Sequence, residues 1–245
     1  MDESVVAVAS SMEALGNQYA MISHNLANSS TVGYKRFLNA FAAAGAAAAG
    51  TGEKAGGESG AKIVGTSPID FSQGNLVQTG RPLDLALAGK GFFVVETPEG
   101  PLYMRNGTFQ VNAQGQVVDA AGRTISGQGG PIVLPNGTGA SAVRVTSEGK
   151  VLANGTSVGQ FQIVEFEDTS VLKPAGLCAF RAPPNAKSDA AKKTTVQQGY
   201  QEGSNVSTVD ELVGLITVSR LYEANLKNVR GRDERMKNVI QVLLG

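Results

Sequence analysis

Seven apolar positions near the start of the chain recur at spacings of three and four without a miss: Val5, Val8, Met12, Leu15, Tyr19, Ile22 and Leu26. That spacing places them on one stripe of an α-helix, the seam by which a helix pairs with other helices. At a rise of about 1.5 Å per residue the helix would be about 40 Å long. It is expected to stop near Asn28-Ser29-Ser30, with Gly33 allowing the following turn. The opposite end of the chain repeats the pattern. Leu215, Val218, Tyr222, Asn225, Val229, Arg232, Met236, Val239 and Leu243 keep the same rhythm, and most of them are apolar. Ser207-Thr208-Val209-Asp210 supplies a hydroxyl N-cap and first-turn acids, which the helix dipole favours.

Two seams at opposite ends of one chain constrain the fold strongly. The economical arrangement pairs the ends and inserts whatever lies between them. Two helices alone leave much of each stripe in water, and each seam residue is worth about 1.5–3 kcal/mol on burial. The ends are therefore expected to pack on copies or relatives of the chain and to be marginal without them. The expected subunit-interface residues are Val5, Val8, Met12, Leu15, Tyr19, Ile22, Leu26, Leu215, Val218, Tyr222, Val229, Met236, Val239 and Leu243.

The middle of the chain has a different texture. Residues 37–62 are mostly Ala and Gly and read as a flexible linker, because they offer too little apolar surface to offset the entropy of ordering. From 63 to 199 short Val/Ile/Phe/Leu runs alternate with Gly, Pro and Asn-Gly. Asn106-Gly107, Asn136-Gly137 and Asn154-Gly155 are read as turns. The Pro183-Pro184 stretch up to 199 reads as a second linker. The expected class is α+β: a discontinuous coiled-coil domain from 1–36 and 200–245, with a mostly antiparallel β domain at 63–199 inserted.

Reactive chemistry is sparse. The single cysteine excludes a disulfide framework within the chain and any Cys-cluster metal site. A serine triad would depend on His24 alone, which is read as a solvated or interface histidine, and no metal or cofactor is expected. Cys178 sits in an apolar stretch and reads as a small buried hydrophobe. Gly89-Lys90-Gly91 is followed by a strand-like Phe92-Phe93-Val94-Val95, so it reads as a tight turn and not a phosphate loop. Asp84, Glu96, Glu99 and Asp119 carry no mark of a catalytic pair. Arg230, Arg232, Arg235 and Lys237 are interleaved with Asp233 and Glu234, as on a salt-bridged helix face. Lys+Arg and Asp+Glu each number 21, which gives a nucleic-acid backbone no basic excess to bind. No run is long and apolar enough for membrane insertion, and the start has no basic n-region of a cleavable signal peptide.

Four ordered blocks carry a resemblance. They are Ser23-His24-Asn25-Leu26-Ala27-Asn28 running on to Thr31-Val32-Gly33-Tyr34-Lys35-Arg36, Ser72–Gly80 with Asp84–Phe93, Tyr103–Phe109, and Gln198–Val206. Together they are similar to the bacterial flagellar rod and hook proteins. Within that family, Arg81-Pro82-Leu83-Asp84, Gly130–Pro135 and the chain length look most like the proximal-rod type, with the distal-rod type the runner-up. The resemblance implies a non-enzymatic subunit of the periplasmic rod of the basal body. Its implied partners are copies of itself, other rod proteins and the type III export apparatus. It also implies assembly roles for Asn25, Asn28 and Gly33 where the first helix ends, and for Glu202, Ser204 and Asn205 where the chain re-enters the last helix. Two rival readings are a wall hydrolase with a site in the β domain and a coiled-coil scaffold or adhesin outside the flagellum.

Overall fold

The computed structural model describes residues 3–38, 68–176 and 178–244. Helix α1 spans Glu3–Ala27 and helix α2 spans Thr208–Leu244. The first helix stops where polar residues take over: the Asn28 backbone N–H bonds back to His24 O, and its side chain donates to the same carbonyl. The second begins as its cap residue dictates, with the Ser207 hydroxyl accepting the Asp210 N–H at 3.4 Å.

Between them lie seventeen short strands among the described residues. In chain order these are β1 (Leu76–Gln78), β2 (Leu85–Ala88), β3 (Phe92–Val95), β4 (Leu102–Met104), β5 (Gln110–Val111), β6 (Val117–Val118), β7 (Ser126–Gly127), β8 (Gly130–Pro131) and β9 (Val143–Val145). They continue with β10 (Lys150–Ala153), β11 (Thr156–Gln160), β12 (Ile163–Phe166), β13 (Lys173–Pro174), β14 (Ala179–Arg181), β15 (Ser188–Ala190), β16 (Thr195–Gln198) and β17 (Tyr200–Glu202). All named pairings are antiparallel, so the architecture is α+β.

The largest sheet has the order β13-β14-β4-β3-β12-β15. Its centre, β3, is four apolar residues, all buried, because both faces are covered. Phe93 and Val95 point into one core with Leu85, Phe109, Ile125 and Phe161. Phe92 and Val94 point into the other with Phe166, Leu172 and Phe180. Edge-to-face rings join the second core, with Phe71 and Phe180 at 4.9 Å and Tyr103 and Phe166 at 4.8 Å.

Three local expectations are corrected. The stretch 183–199 is not a bare linker: β15 and β16 lie in it, and β16 pairs along its length with β2. Asn106-Gly107 is not a hairpin turn. A Cβ on Gly107 would sit 1.7 Å from Leu85 O, so glycine is there for close backbone approach. Asn154-Gly155 does turn, with φ of 52° and 83°, and joins β10 to β11. Cys178 is half-buried at φ 56°, just before β14, and is not a core residue. Residues 39–62 of the expected linker lie outside the described residues.

Candidate functional site: the clasp between the helix pair and the β domain

The two helices run antiparallel and share one register. Asn25 Nδ2 reaches Glu211 Oε1 at 3.3 Å, Ile22 lies against Gly214, and Asn225 Nδ2 donates to Ser11 Oγ at 3.2 Å. Ile22 and Val218 are buried in the seam, with Leu15, Leu26, Leu215 and Val229 partly buried. Met12 is also partly buried, whereas Tyr19 and Tyr222 are exposed at 46% and 39%. The side chains of Val5, Val8, Met236, Val239 and Leu243 lie outside the described residues.

What ties this pair to the β domain is a strap, residues 33–38, threaded between the C-terminal segment and the loop before β1. Gly33 opens it at φ 70°, and an added Cβ would meet Asn106 N at 2.5 Å. Its N–H donates to Glu202 O at 2.7 Å. Two asparagines then grip the strap. Asn25 accepts the Phe37 N–H and donates to Phe37 O, both at 2.9 Å, and takes the Tyr34 hydroxyl proton at 3.0 Å. Asn205 accepts the Arg36 N–H at 2.8 Å and donates to Asp70 O and Ser72 O. An amide offers a donor and an acceptor together, so each asparagine satisfies backbone groups a strand partner would otherwise take.

Beneath the strap is a buried ionic cluster. Lys35 Nζ donates to Glu202 Oε1 and to Ser72 O, each at 2.6 Å, and both charged side chains are 0% exposed. Gly74 N–H donates to the same Glu202 oxygen at 3.0 Å, and Arg105 approaches the other at 3.5 Å. The Arg105 guanidinium also donates to Gly89 O at 2.7 Å and lies 5.0 Å above the Phe92 ring. One carboxylate thus serves two cations. Burial pulls the pKa of Lys35 and of Arg105 down, with Glu202 opposing the shift in each. A second ion pair, Arg36 to Glu211 at 2.6 Å, fastens the strap to the first turn of α2. Burial raises the Tyr34 phenol, with Cys178 and Glu211 adding to the shift.

The sequence-nominated residues divide. Asn25, Gly33, Glu202 and Asn205 converge on the clasp. Asn28 stays at the helix end, accepting the Thr31 hydroxyl, and Ser204 accepts the Val206 N–H. His24 sits beside the clasp, with Nδ1 2.8 Å from the Tyr34 hydroxyl and its ring edge-on to Phe37. Lys35, Arg36, Arg105 and Glu211 were not singled out for this role. A lysine and a glutamate 167 residues apart carry no local signature of pairing.

The carboxylates weighed in the β domain are engaged separately: Asp84 by Arg81, Asp119 by Arg123, Glu99 by Arg181 and Glu96 by the Ser126 hydroxyl. Among the described residues no group of three or more His, Cys, Asp or Glu could hold a metal, and no helix is long and apolar enough to cross a membrane. The class so defined is α+β, an antiparallel helix pair clasped to antiparallel sheets. The family follows from comparison. Residues 86–153 match the flagellar hook protein FlgE/F/G D1 domain, and residues 197–242 match the flagellar basal body rod FlgEFG protein C-terminal region. The chain is 34% identical to the rod protein FlgG of Agrobacterium fabrum, over 92% of this chain and 94% of that one. It is 29% identical to FlgF of Salmonella typhimurium over 99% of both, and 29% identical to FlgF of Caulobacter vibrioides over 99% of this chain and 98% of that one. The chain belongs to the flagellar basal-body rod protein family.

Proposed function

We propose that this chain is a structural subunit of the flagellar rod, of the proximal FlgF type, assembled through its terminal helices. The observation that carries the reading is the clasp. It fixes the helix pair α1 and α2 to the antiparallel sheets through buried ion pairs, while the helices keep apolar side chains exposed; we take the helical domain as 1–36 and 200–245 and the β domain as 63–199. A helix pair that serves only its own chain has no need of such an exposed stripe. Contacts with copies of this chain and with other rod proteins are assigned to the seam residues left exposed, such as Tyr19 and Tyr222, and to the exposed apolar side chains beside them, whereas Ile22 and Val218 already lie buried between the chain's own helices. The flagellar export apparatus is proposed as the partner that delivers the chain to the periplasmic rod.

Alignment over 99% of both chains supports the FlgF type. The higher identity to an FlgG favours the distal FlgG type as the second reading. Deleting the gene and analysing isolated basal bodies separates them. A proximal subunit is required for everything beyond it, so its loss should remove the distal rod subunit as well. Loss of a distal subunit should leave the proximal rod in place. Normal swimming and intact basal bodies would rule out both.

A further inference from the structure

One face of the six-stranded sheet is roofed over only part of its area. Phe92, Val94 and Tyr103 share that face, since Val94 and Tyr103 are cross-strand partners on β3 and β4. Phe71 closes over Phe92, with ring centroids 5.6 Å apart. Beyond that roof, Val94 and Val164 floor an open cavity of about 380 Å³. The turn from β3 to β4 forms part of its wall. That turn is held twice, the Thr97 hydroxyl donating to Gly100 O and the Gly100 N–H donating to Thr97 O.

Three polar side chains in the cavity lining are linked through one serine. The Ser126 hydroxyl, buried, lies 3.0 Å from Glu96 Oε1 and 2.8 Å from Gln162 Oε1. A hydroxyl has one proton and cannot donate to both. All three are satisfied when the Gln162 amide is turned end for end, so that its nitrogen donates to Ser126 and Ser126 donates to Glu96. The other half of the amide and the second carboxylate oxygen then have no partner among the described residues. The Tyr103 hydroxyl in the same lining also makes no hydrogen bond among the described residues. Burial raises its pKa, so it stays a protonated donor. Its ring is fixed edge-on to Phe166 at 4.8 Å.

The geometry points to a binding site for one ring of a neutral saccharide. The lining selects that class by exclusion and by match. It holds no lysine, arginine or histidine, so a phosphate or carboxylate would lose its water with no cation in return. A purely apolar ligand would bury the Gln162 amide and the Tyr103 hydroxyl unpaired. A cationic side chain would engage Glu96 and leave both of those idle. A sugar uses the whole lining. Each of its hydroxyls donates and accepts, which suits a carboxylate, an amide and a phenol standing in one cavity. Its C–H face needs an apolar floor, and Val94, Val164 and Pro101 supply it. An open cavity of this size receives a ring at the end or side of a longer glycan, with an affinity on the order of 1 mM. On the rod reading above, the site recurs with every copy of the chain, and a polysaccharide spanning several copies is held more tightly than a single ring. The site itself does not depend on that reading.

The test titrates the isotope-labelled full-length chain with chitotriose and, separately, with maltotriose, and follows the backbone amide NMR signals. At least one trisaccharide should shift Thr97, Gly100, Ser126 and Gln162 saturably below about 20 mM. Tyr103→Phe keeps the ring on Phe166 and removes only the hydroxyl. It should unfold at the unsubstituted chain's urea midpoint and weaken binding by about 2–10-fold, the worth of one hydrogen bond. Gln162→Ala should weaken binding at least as much. No saturable shift with either sugar, shifts confined to other residues, or unchanged affinity in both variants would overturn the assignment. So would a trilysine peptide that shifts these amides at lower concentration than either sugar, which would mark an acceptor for a cationic chain. None of these outcomes bears on the rod reading, which the gene deletion decides.

Discussion

Removing the Glu202 charge should cost more than removing the lysine that pairs with it. Glu202 is the one carboxylate between Lys35 and Arg105, and all three side chains are buried. In Glu202→Gln two buried cations lose the carboxylate they share, keeping only the weaker influence of Asp70 on Lys35 and of Glu165 on Arg105, and breaking a buried pair in this way costs about 3–5 kcal/mol. Lys35→Met is different. Glu202 keeps Arg105 and the Gly74 N–H, and Ser72 O keeps the Asn205 amide. What is lost is a charge-assisted hydrogen bond, worth about 1.5–3 kcal/mol, and the desolvation of a lysine is relieved. With a urea m-value of about 2 kcal/mol/M, Glu202→Gln should lower the unfolding midpoint by about 2 M and Lys35→Met by about 1 M or less. Equilibrium urea unfolding, followed by far-ultraviolet circular dichroism at neutral pH, reads both. Equal losses, or a larger loss for Lys35→Met, would refute the two-cation, one-carboxylate account of the clasp.

Other consequences follow from neighbouring residues. Gly33→Ala meets both a positive φ and the Asn106 backbone. It should cost about 1–3 kcal/mol, read as a thermal-midpoint shift. The buried Tyr34 phenol has its pKa raised above the ordinary 10.0, so the folded chain holds that proton more tightly than the unfolded chain does. Its stabilising contribution is complete below pH 10.0 and is lost as pH rises further, so Tyr34→Phe should flatten the alkaline fall in stability measured by urea titration. Brief trypsin treatment of the monomer should cut at the exposed Lys227, Arg230 and Arg235 before the buried Lys35 and Arg105, as mass spectrometry of the first fragments would show.

Period and partnership are written into a sequence at different ranges. The seams from Met12 to Leu26 and from Leu215 to Val229 were legible because a helix repeats its face every three or four residues, within one short window. The same window placed the Asn154-Gly155 turn that joins β10 to β11. The clasp was not legible. Its bonds join residue 35 to 202, 36 to 211 and 105 to 202, and no local rule specifies which lysine will meet which glutamate. The resemblance pointed to Asn25 and Asn205 near the helix ends, but their actual partners, the backbone groups of residues 36, 37, 70 and 72, exist only once the strap has folded. Periodicity also concealed something. A seam read as one apolar face led attention to Leu215, Val218 and Tyr222, while Val209, Val213 and Ile216 form a second stripe half a turn away. Burial separates the two. Val218 is covered by this chain's own α1 and Val213 is not, so the stripe available to another molecule is the one the seam left out.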